Sequence, residues 1–292
     1  MIDKTDLYQT VTNSIIEQIE GGTLPWLKPW KSTTGVKGGA MFPCNHITGR
    51  PYSGVNVMIL WGRAFTSNRW MTFKQAQSIG ATVRKGEKGT QIVFAKPMTI
   101  TDKATGEEKQ IYMLRAYYVF NLDQIDGVPA AAPAAPVSEI ERHAAADAFI
   151  SATGALIRHQ GNEAYYTPSL DHIVLPEARA FETSAHYYAT SLHELIHWTG
   201  AKHRLDRTFG KRFGDGDYAA EELVAEIGAA FTCAHLGIEG KLRHADYVAS
   251  WLKVLKADKK AIFTAASAAS KAADFLRAFS EAEAADIEME EA

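Results

Sequence analysis

The sequence is poor in cysteine and has no long apolar run. Its 292 residues include only two cysteines, Cys44 and Cys233, which lie far apart in the chain. This excludes a disulfide scaffold and favours a reducing, cytoplasmic location with both side chains buried. No segment approaches the roughly 18 uninterrupted apolar residues of a membrane span, so no membrane partner is expected. The first ten residues contain acidic side chains and no apolar segment, which is not typical of a secretory signal.

The composition and length predict two globular domains. Hydrophobic residues make up 46% of the chain and charged residues 22%, as in ordinary globular proteins. An Ala/Pro segment at 129–137 predicts a semi-rigid linker, because proline restricts the backbone and alanine offers little to a core. We therefore expect domains at 1–128 and 138–292 that can act separately. A loop inside one domain is the alternative.

The two halves differ in charge. Residues 1–128 carry 15 basic and 10 acidic side chains, whereas residues 129–292 carry 16 and 24. A mildly basic half next to an acidic half favours an anionic partner bound at one end of the molecule.

Hydrophobic periodicity predicts an α+β fold with an α+β N-terminal domain and a mostly helical C-terminal domain that has one small sheet. In the N-terminal domain a helix is predicted over 5–20 and strands over 81–99 and 110–120, while 53–66 and 72–80 are ambiguous or helical. In the C-terminal domain a strand-turn-strand segment is predicted over 164–176. Helices are predicted there over 138–152, 182–199, 218–236, 245–257 and 260–280.

The most specific pattern in the sequence is HELIH at 193–197. On a helix, His193 and His197 would leave one face one turn apart and could bind one metal ion, with Glu194 beside the open coordination position. This is the arrangement of zincin metallopeptidases. We predict one divalent metal ion, with zinc expected and manganese as the alternative. The alternative is that the motif lies on a helix without a metal site, in which the two histidines are partly buried and contribute only to packing.

Two candidates exist for a third metal ligand. HELIHWTGAKH fits the pattern HExxHxxGxxH, which would make His203 the ligand. That pattern also needs a methionine-containing turn, and Met289, the only methionine after the motif, lies in the acidic C-terminal segment. The favoured candidate is Glu222 in the predicted helix 218–231. Glu226, one turn later, would then lie behind the ligands.

Peptide-bond hydrolysis is the reaction that such a site predicts. Glu194 would take the proton of the attacking water and pass it to the leaving amine. Glu226 would orient His193 or His197 by accepting a hydrogen bond from the imidazole. The group that stabilises the oxyanion is left open among four candidates, which are Tyr187, Tyr188, His186 and Tyr218.

Basic and aromatic residues alternate in the N-terminal half. Four of the six tryptophans lie within the first 70 residues. Single-stranded nucleic acid is bound by such mixtures, because phosphates attract Lys and Arg while unstacked bases stack on flat rings. The alternative is that the aromatic residues form a core. The predicted DNA-binding residues are Trp26, Lys28, Trp30, Lys31, Arg50, Tyr52, Arg63, Arg69, Trp70, Arg84, Lys85 and Lys88.

These motifs resemble the ArdC-type antirestriction family over nearly the whole chain. The N-terminal runs that resemble it include LYQTVTNSIIEQIEGGTLPWLKPW, PCNHITGRPYSGVNVMILW and WMTFKQAQSIGATVRKGEKGTQIVF, and the C-terminal ones are YYATSLHELIHWTGAKHRLDR and YAAEELVAEIGAAF. The resemblance implies a single-stranded DNA-binding domain joined to a zincin-like metallopeptidase domain. It also implies protection of incoming conjugative plasmid DNA from host restriction. By position, His193, Glu194, His197 and Glu222 match the family's metallopeptidase motif.

Three functions follow from these expectations. The first is an antirestriction protein that binds single-stranded DNA and carries an active metallopeptidase site. The second is a protein that shields DNA and uses its metal only to stabilise the fold. The third is a regulatory peptidase that cleaves one host protein on DNA.

Overall fold

The computed structural model describes residues 6–27, 42–63, 65–101, 108–128, 138–208, 217–238 and 247–290. The predicted linker 129–137 and three predicted DNA-binding residues, Lys28, Trp30 and Lys31, lie outside these described residues.

The described residues form an α+β structure, which confirms the predicted fold class. The helices are α1 (Leu7–Glu20), α2 (Val55–Trp61), α3 (Phe73–Ser78), α4 (Glu139–Ala152), α5 (Ser184–Thr199), α6 (Asp217–Leu236), α7 (Val248–Ala257) and α8 (Ala261–Glu290). The strands are β1 (Cys44–Asn45), β2 (Arg69–Met71), β3 (Thr82–Val83), β4 (Thr90–Thr101), β5 (Glu108–Asn121), β6 (Ile125–Asp126), β7 (Leu156–His159), β8 (Tyr165–Thr167) and β9 (His172–Leu175).

The N-terminal half is organised around a long antiparallel hairpin. Strands β4 and β5 pair from Thr90 opposite Val119 to Thr101 opposite Glu108, and the sheet order is β1-β2-β5-β4. Along the hairpin base, alternate side chains point to opposite faces. Ile92 therefore packs into a small core that contains Trp70, whereas the neighbouring Val93 joins the main core of the molecule.

The C-terminal half places a small sheet beside a helical bundle. The order of this sheet is β7-β9-β8, with β9 parallel to β7 and antiparallel to β8. All four residues of the middle strand β9 are buried. Helix α6 packs on both α5 and α8, and a continuous run of buried residues from Glu222 to Ala234 shows that it is the central helix of this half.

The two halves share one core. Helix α1 packs against α7, and the Thr12 hydroxyl donates to the Lys259 carbonyl oxygen at 2.7 Å. The Trp26 ring lies 5.6 Å from the Trp251 ring, and Trp61 lies 5.7 Å from Phe231. Each half therefore covers apolar side chains of the other, while the separate action of the two domains stays a prediction.

Helix α8 is longer than the predicted helix 260–280. It continues to Glu290 through a segment rich in alanine and glutamate, which are both strong helix formers. Among the described helices none is long and apolar enough to cross a membrane.

Candidate functional site

Helix α5 positions the HELIH motif. The Thr183 side chain caps its N-terminus by accepting from the His186 amide at 3.2 Å. Ten of its residues are buried, among them His193 and Glu194. Because His193 and His197 are four residues apart, their rings leave the same face of the helix, and their ring centroids are 4.9 Å apart.

A close helix crossing brings α6 to this face. Gly228 lies against Ile196, and a Cβ atom at Gly228 would meet three atoms of that side chain at 2.9 to 3.0 Å. The glycine therefore allows the two helices to approach without a steric conflict. Glu222 and Glu226, which precede Gly228 on α6, face His193 as a result.

The two histidines and Glu222 converge on one point. His193 Nε2 is 3.2 Å from His197 Nε2, and the Glu222 carboxylate oxygens are 3.5 Å from the first and 3.3 Å from the second. In a tetrahedral site with bonds of about 2.0 to 2.1 Å, ligand atoms are about 3.3 Å apart. The three side chains therefore fit a shared metal ion without rearrangement.

Two of the three proposed ligands already have the protonation state that a metal needs. Burial lowers the pKa of His193, which keeps its imidazole neutral. Burial acts to raise the pKa of Glu222, but contacts with His193 and His197 outweigh it and hold that pKa well below its usual range. A neutral imidazole and an ionised carboxylate are the forms that bind a divalent cation. Burial acts to lower the pKa of His197, the third, but Glu221 and Glu222 outweigh it and raise that pKa to about 9, so a metal ion would displace a proton from this imidazole.

Each histidine has a glutamate near its Nδ1 atom. Glu226 Oε2 lies 3.8 Å from His193 Nδ1, which is longer than a hydrogen bond, so the orienting role of Glu226 stays a prediction. His197 Nδ1 instead lies 3.2 Å from Glu221 Oε1, and Glu221 accepts two hydrogen bonds from Arg207 Nε at 2.9 and 3.2 Å. The Glu221 carboxylate can therefore orient the His197 ring, with Nε2 toward His193 and Glu222, where a metal ion would be held.

Sequence reasoning missed Glu221 and Arg207. Glu221 is the first residue of the EExxAE segment. Its contact with His197 depends on how the imidazole ring of His197 is turned toward helix α6, which the sequence does not show. The only available signal was its position directly before Glu222 in the sequence.

Glu194 lies beside the ligands in an apolar setting. Burial raises the pKa of its carboxyl group to about 7, while His197 opposes this rise and Glu222 adds to it. The backbone of Tyr166 in strand β8 forms a hydrogen bond to the same carboxyl group. A carboxyl group with a pKa near neutrality can both accept and donate a proton.

His203, the alternative third ligand, lies away from this centre. Its side chain is 62% exposed, and its Nε2 is 3.2 Å from Asp171 Oδ2. Asp171 is also paired with Arg204, and this contact lowers its pKa to about 2. The position of His203 therefore favours Glu222 as the third ligand.

The four oxyanion candidates have different partners. The Tyr188 hydroxyl donates to Asp147 at 3.0 Å, and the Tyr187 hydroxyl lies 3.0 Å from His159. His186 lies 3.7 Å from Glu182.

Tyr218 is the candidate that contacts a ligand. Its side chain is 63% exposed, and its hydroxyl lies 3.1 Å from the hydroxyl of Tyr247. Tyr247, together with burial and Glu222, raises the pKa of this phenol, which therefore stays protonated at neutral pH. A protonated phenol beside the metal ligands can donate a hydrogen bond into the site.

The structure corrects the predicted stacking role of three aromatic residues. Trp26, Trp70 and Tyr52 are 1%, 2% and 9% exposed, so their rings lie in the core and present no free face to a base. Trp26 faces Glu226 and opposes the rise in its pKa. These three residues thus follow the alternative interpretation, because each ring buries more apolar area in the core than it would on a surface.

The predicted basic residues are mostly at the surface. Arg50, Arg63, Arg84, Lys85 and Lys88 are exposed, and Arg69 is half-buried. Arg84 is paired with Glu87 at 3.1 Å and with Asp126 at 3.3 Å. These two ion pairs give Arg84 a structural role that competes with binding to phosphate.

Several exposed aromatic residues of the N-terminal half lie on the hairpin. Phe94 of β4 and Tyr117 of β5 are 49% and 45% exposed, and their rings are 5.4 Å apart. Lys96 and Arg115 share this strand face, because Phe94 lies opposite Arg115 and strand side chains alternate. Sequence reasoning read these residues only as strand formers.

The C-terminal half matches a known class of protein. A family model described as zincin-like metallopeptidase covers residues 144–268. This half is therefore a zincin-like metallopeptidase domain, in agreement with the positions of His193, His197 and Glu222.

The comparisons extend to the whole chain. A family model described as the N-terminal domain of anti-restriction factor ArdC covers residues 5–120. A crystal structure of the metal-free antirestriction protein ArdC from plasmid R388 is 44% identical, with a TM-score of 0.79 over 94% of this chain and 98% of that one. The Mn(II)-bound structure of the R388 protein has a TM-score of 0.75 at 43% identity with the same coverage. The chain belongs to the ArdC family of antirestriction proteins, and the relatives indicate a divalent metal ion.

The chain is also similar to a protein of comparable length and to part of a much longer one. The protein y4eC of Sinorhizobium fredii (strain NBRC 101917 / NGR234) is 41% identical over 289 residues, covering 94% of this chain and 92% of that protein. The DNA primase TraC of Escherichia coli is 41% identical over 296 residues, but the match covers only 27% of the primase.

Proposed function

We propose that the protein protects incoming conjugative plasmid DNA from host restriction by binding single-stranded DNA and cleaving a host protein at the HELIH site. The observation that carries the peptidase part is the convergence of His193, His197 and Glu222 on one point, with Glu194 buried beside them. The metal is zinc, with manganese as the alternative, and the location is the cytoplasm.

The chemistry of the site follows from its charges. A bound divalent ion supplies Lewis acidity, which makes a water nucleophilic near neutral pH. Glu194 accepts the proton of that water at its carboxylate and then donates it to the leaving amine, because its raised pKa makes both transfers possible. Tyr218 donates a hydrogen bond to the oxygen of the scissile carbonyl group, where negative charge develops.

Strand β8 provides a place for an extended peptide. It lies at the edge of its described sheet, with β9 on its other side. Its Tyr166 backbone contacts Glu194, so a peptide that adds as a strand to this edge would pass close to the base.

The DNA-binding part rests on the N-terminal half. Its excess of basic side chains attracts phosphates, and the exposed rings of Phe94 and Tyr117 can stack on unpaired bases. Trp26 and Trp70, which were predicted to stack, are buried, so these two rings should contribute little to any change of tryptophan fluorescence on binding.

The metal ligands are tested by metal content. Glu222→Ala should lose most of the bound metal, because it removes one of three protein ligands. His203→Ala should keep nearly all of it. The reverse ranking would show that the longer three-histidine pattern forms the site.

The peptidase role is tested during plasmid transfer into a restricting host. Glu194→Ala keeps all three ligands and removes the base, so it should retain metal and lose protection. Glu177→Ala, which removes an exposed glutamate, is the matched control. Full protection by Glu194→Ala would show instead that the protein shields DNA and that its metal is structural.

A further inference from the structure

A groove of about 1520 Å³ runs between the two halves of the molecule. One wall comes from the N-terminal half and includes Arg50, Phe94 and Tyr117. The other wall comes from residues 205–208, which follow helix α5, and from the start of helix α8 with the residue before it. The groove is therefore a product of the shared core, since neither half encloses it alone.

The α8 wall is one face of a helix. Its spacing of three and four residues is that of a single helix stripe, and its members are Lys260, Phe263, Thr264, Ser267, Ala268 and Lys271. Lys260 and Lys271 are exposed at the two ends of this stripe, about 16 Å apart along the helix axis. The side chains between them are mostly small, so a ligand can approach the helix closely.

The groove is positively charged where a ligand can reach it. Its lining contains four basic residues and one acidic residue, Asp206. Of the four basic residues, Arg207 forms an ion pair with Glu221, and its side chain is only 7% exposed. Arg50, Lys260 and Lys271 are all exposed, and each can neutralise a phosphate.

The aromatic residues of the groove favour unpaired bases over duplex. Phe94 and Tyr117 are edge to face, which leaves ring surface open to a flat partner. Bases in a duplex are already stacked on one another, whereas those of a single strand gain about 1 to 3 kcal/mol for each base that stacks on a ring.

We propose that this groove is the path of single-stranded DNA and that helix α8 of the metallopeptidase half forms one of its walls. The proposal rests on the proposed single-stranded DNA binding and adds a location to it. The strand is held by both halves, with phosphates on Arg50, Lys260 and Lys271 and bases on the hairpin rings. The DNA-binding surface therefore extends beyond the N-terminal half.

The test measures binding of the full-length protein to fluorescently labelled oligothymidine over a range of salt concentrations. The double variant Lys260→Glu/Lys271→Glu should bind at least about tenfold more weakly. Its plot of log K against log salt should be shallower by about 1.4, because each lost phosphate contact removes about 0.7 from the slope. The control Lys202→Glu/Lys253→Glu makes the same charge change at two exposed lysines outside the groove. It should bind within about twofold of the wild type.

Two further measurements keep the outcomes distinct. Lys260→Gln/Lys271→Gln, with unchanged metal content and melting temperature, separates lost binding from misfolding. Phe94→Ala should weaken binding to oligothymidine more than binding to duplex DNA of equal length. If both lysine variants bind DNA with wild-type affinity, the groove is not the DNA-binding site. If Phe94→Ala weakens binding to single-stranded and duplex DNA equally, the hairpin rings do not select for single strands. Absence of DNA binding by the wild type would instead overturn the proposed function itself.

Discussion

The two glutamates behind the proposed metal ligands differ in charge. Burial acts to raise the pKa of Glu221, but hydrogen bonds from Arg207 and His197 outweigh it and lower that pKa. Burial raises the pKa of Glu226 to about 8, with only partial opposition from Trp26. Before metal binds, His197 therefore faces an anion and His193 faces a neutral acid at pH 7. The same pattern explains why Glu221 and Glu222 raise the pKa of His197 to about 9 although burial opposes them.

Glu226 should make the stability of the metal-free protein depend on pH. Its folded pKa of about 8 lies above its usual value of 4.5. A carboxyl group with a raised pKa contributes stability that is fully present below the unfolded value and is lost as pH rises through the folded value. Between about pH 4.5 and 8, the wild type should thus lose a few kcal/mol relative to Glu226→Gln, which cannot ionise.

This effect can be measured by denaturant unfolding in a chelator at several pH values. The difference between wild type and Glu226→Gln should grow toward high pH. Glu163→Gln, which makes the same change at an exposed glutamate, is the control. A constant difference for Glu226→Gln would show that this carboxyl group is already ionised at low pH.

At the level of helices and strands, the elements with strong local signals were predictable. The repeat of Val11, Ile15 and Ile19 and the stop at Gly21 predict a helix over 5–20, and α1 spans Leu7–Glu20. The strand β7 was not predicted, because its four residues are mostly exposed and only its pairing with β9 defines it. Short strands of this kind depend on partners that are distant in sequence, which a local pattern cannot show.

At the proposed metal site, the spacing of residues in the sequence was sufficient to predict which side chains share a helix face. The i, i+4 rule places His193 beside His197 on any helix, and the same rule pairs Glu222 with Glu226. The position of Trp26 could not be predicted, because its burial depends on Trp251 from the other half. The content of basic and aromatic residues therefore predicts a binding surface only when it is known which aromatic rings are buried in the core.

The crossing of α5 and α6 is sensitive to one methyl group. Gly228→Ala places a Cβ atom about 3 Å from three atoms of Ile196. The gain in helix propensity is about 1 kcal/mol, whereas overpacking costs about 1 to 3 kcal/mol. The variant should therefore be slightly less stable, and the displacement of Glu222 should weaken metal affinity about tenfold or more.

A second substitution identifies the cause of this loss. Ile196→Val removes the Cδ1 atom, which lies closest to the new methyl group. In the double variant with Gly228→Ala, metal affinity measured by competition with a chelator should recover in part. Strictly additive losses would show that Gly228 does not act through its contact with Ile196.

At the scale of the whole molecule, the two halves are held together by their shared core more than by the predicted linker. The groove between the halves and the Trp26 contact with Glu226 both require α1 and its neighbours to stay docked on the C-terminal helices. The proposed DNA surface and the proposed metal site are thus parts of one packed body, even though separate family models cover 5–120 and 144–268.

Cutting the chain in the linker should leave the molecule assembled. A protease site inserted within 129–137 allows cleavage after folding. The cleaved halves should elute together on gel filtration, bind oligothymidine as before and unfold in one transition, because the apolar side chains between them stay covered. In the cleaved protein, Trp251→Ala should release the halves, since it removes a fully buried ring that contacts Trp26, at a cost of about 3 to 5 kcal/mol. Halves that separate on cleavage without this substitution, with DNA affinity retained by residues 1–128 alone, would show that the domains are independent and that α8 plays no part in holding the strand.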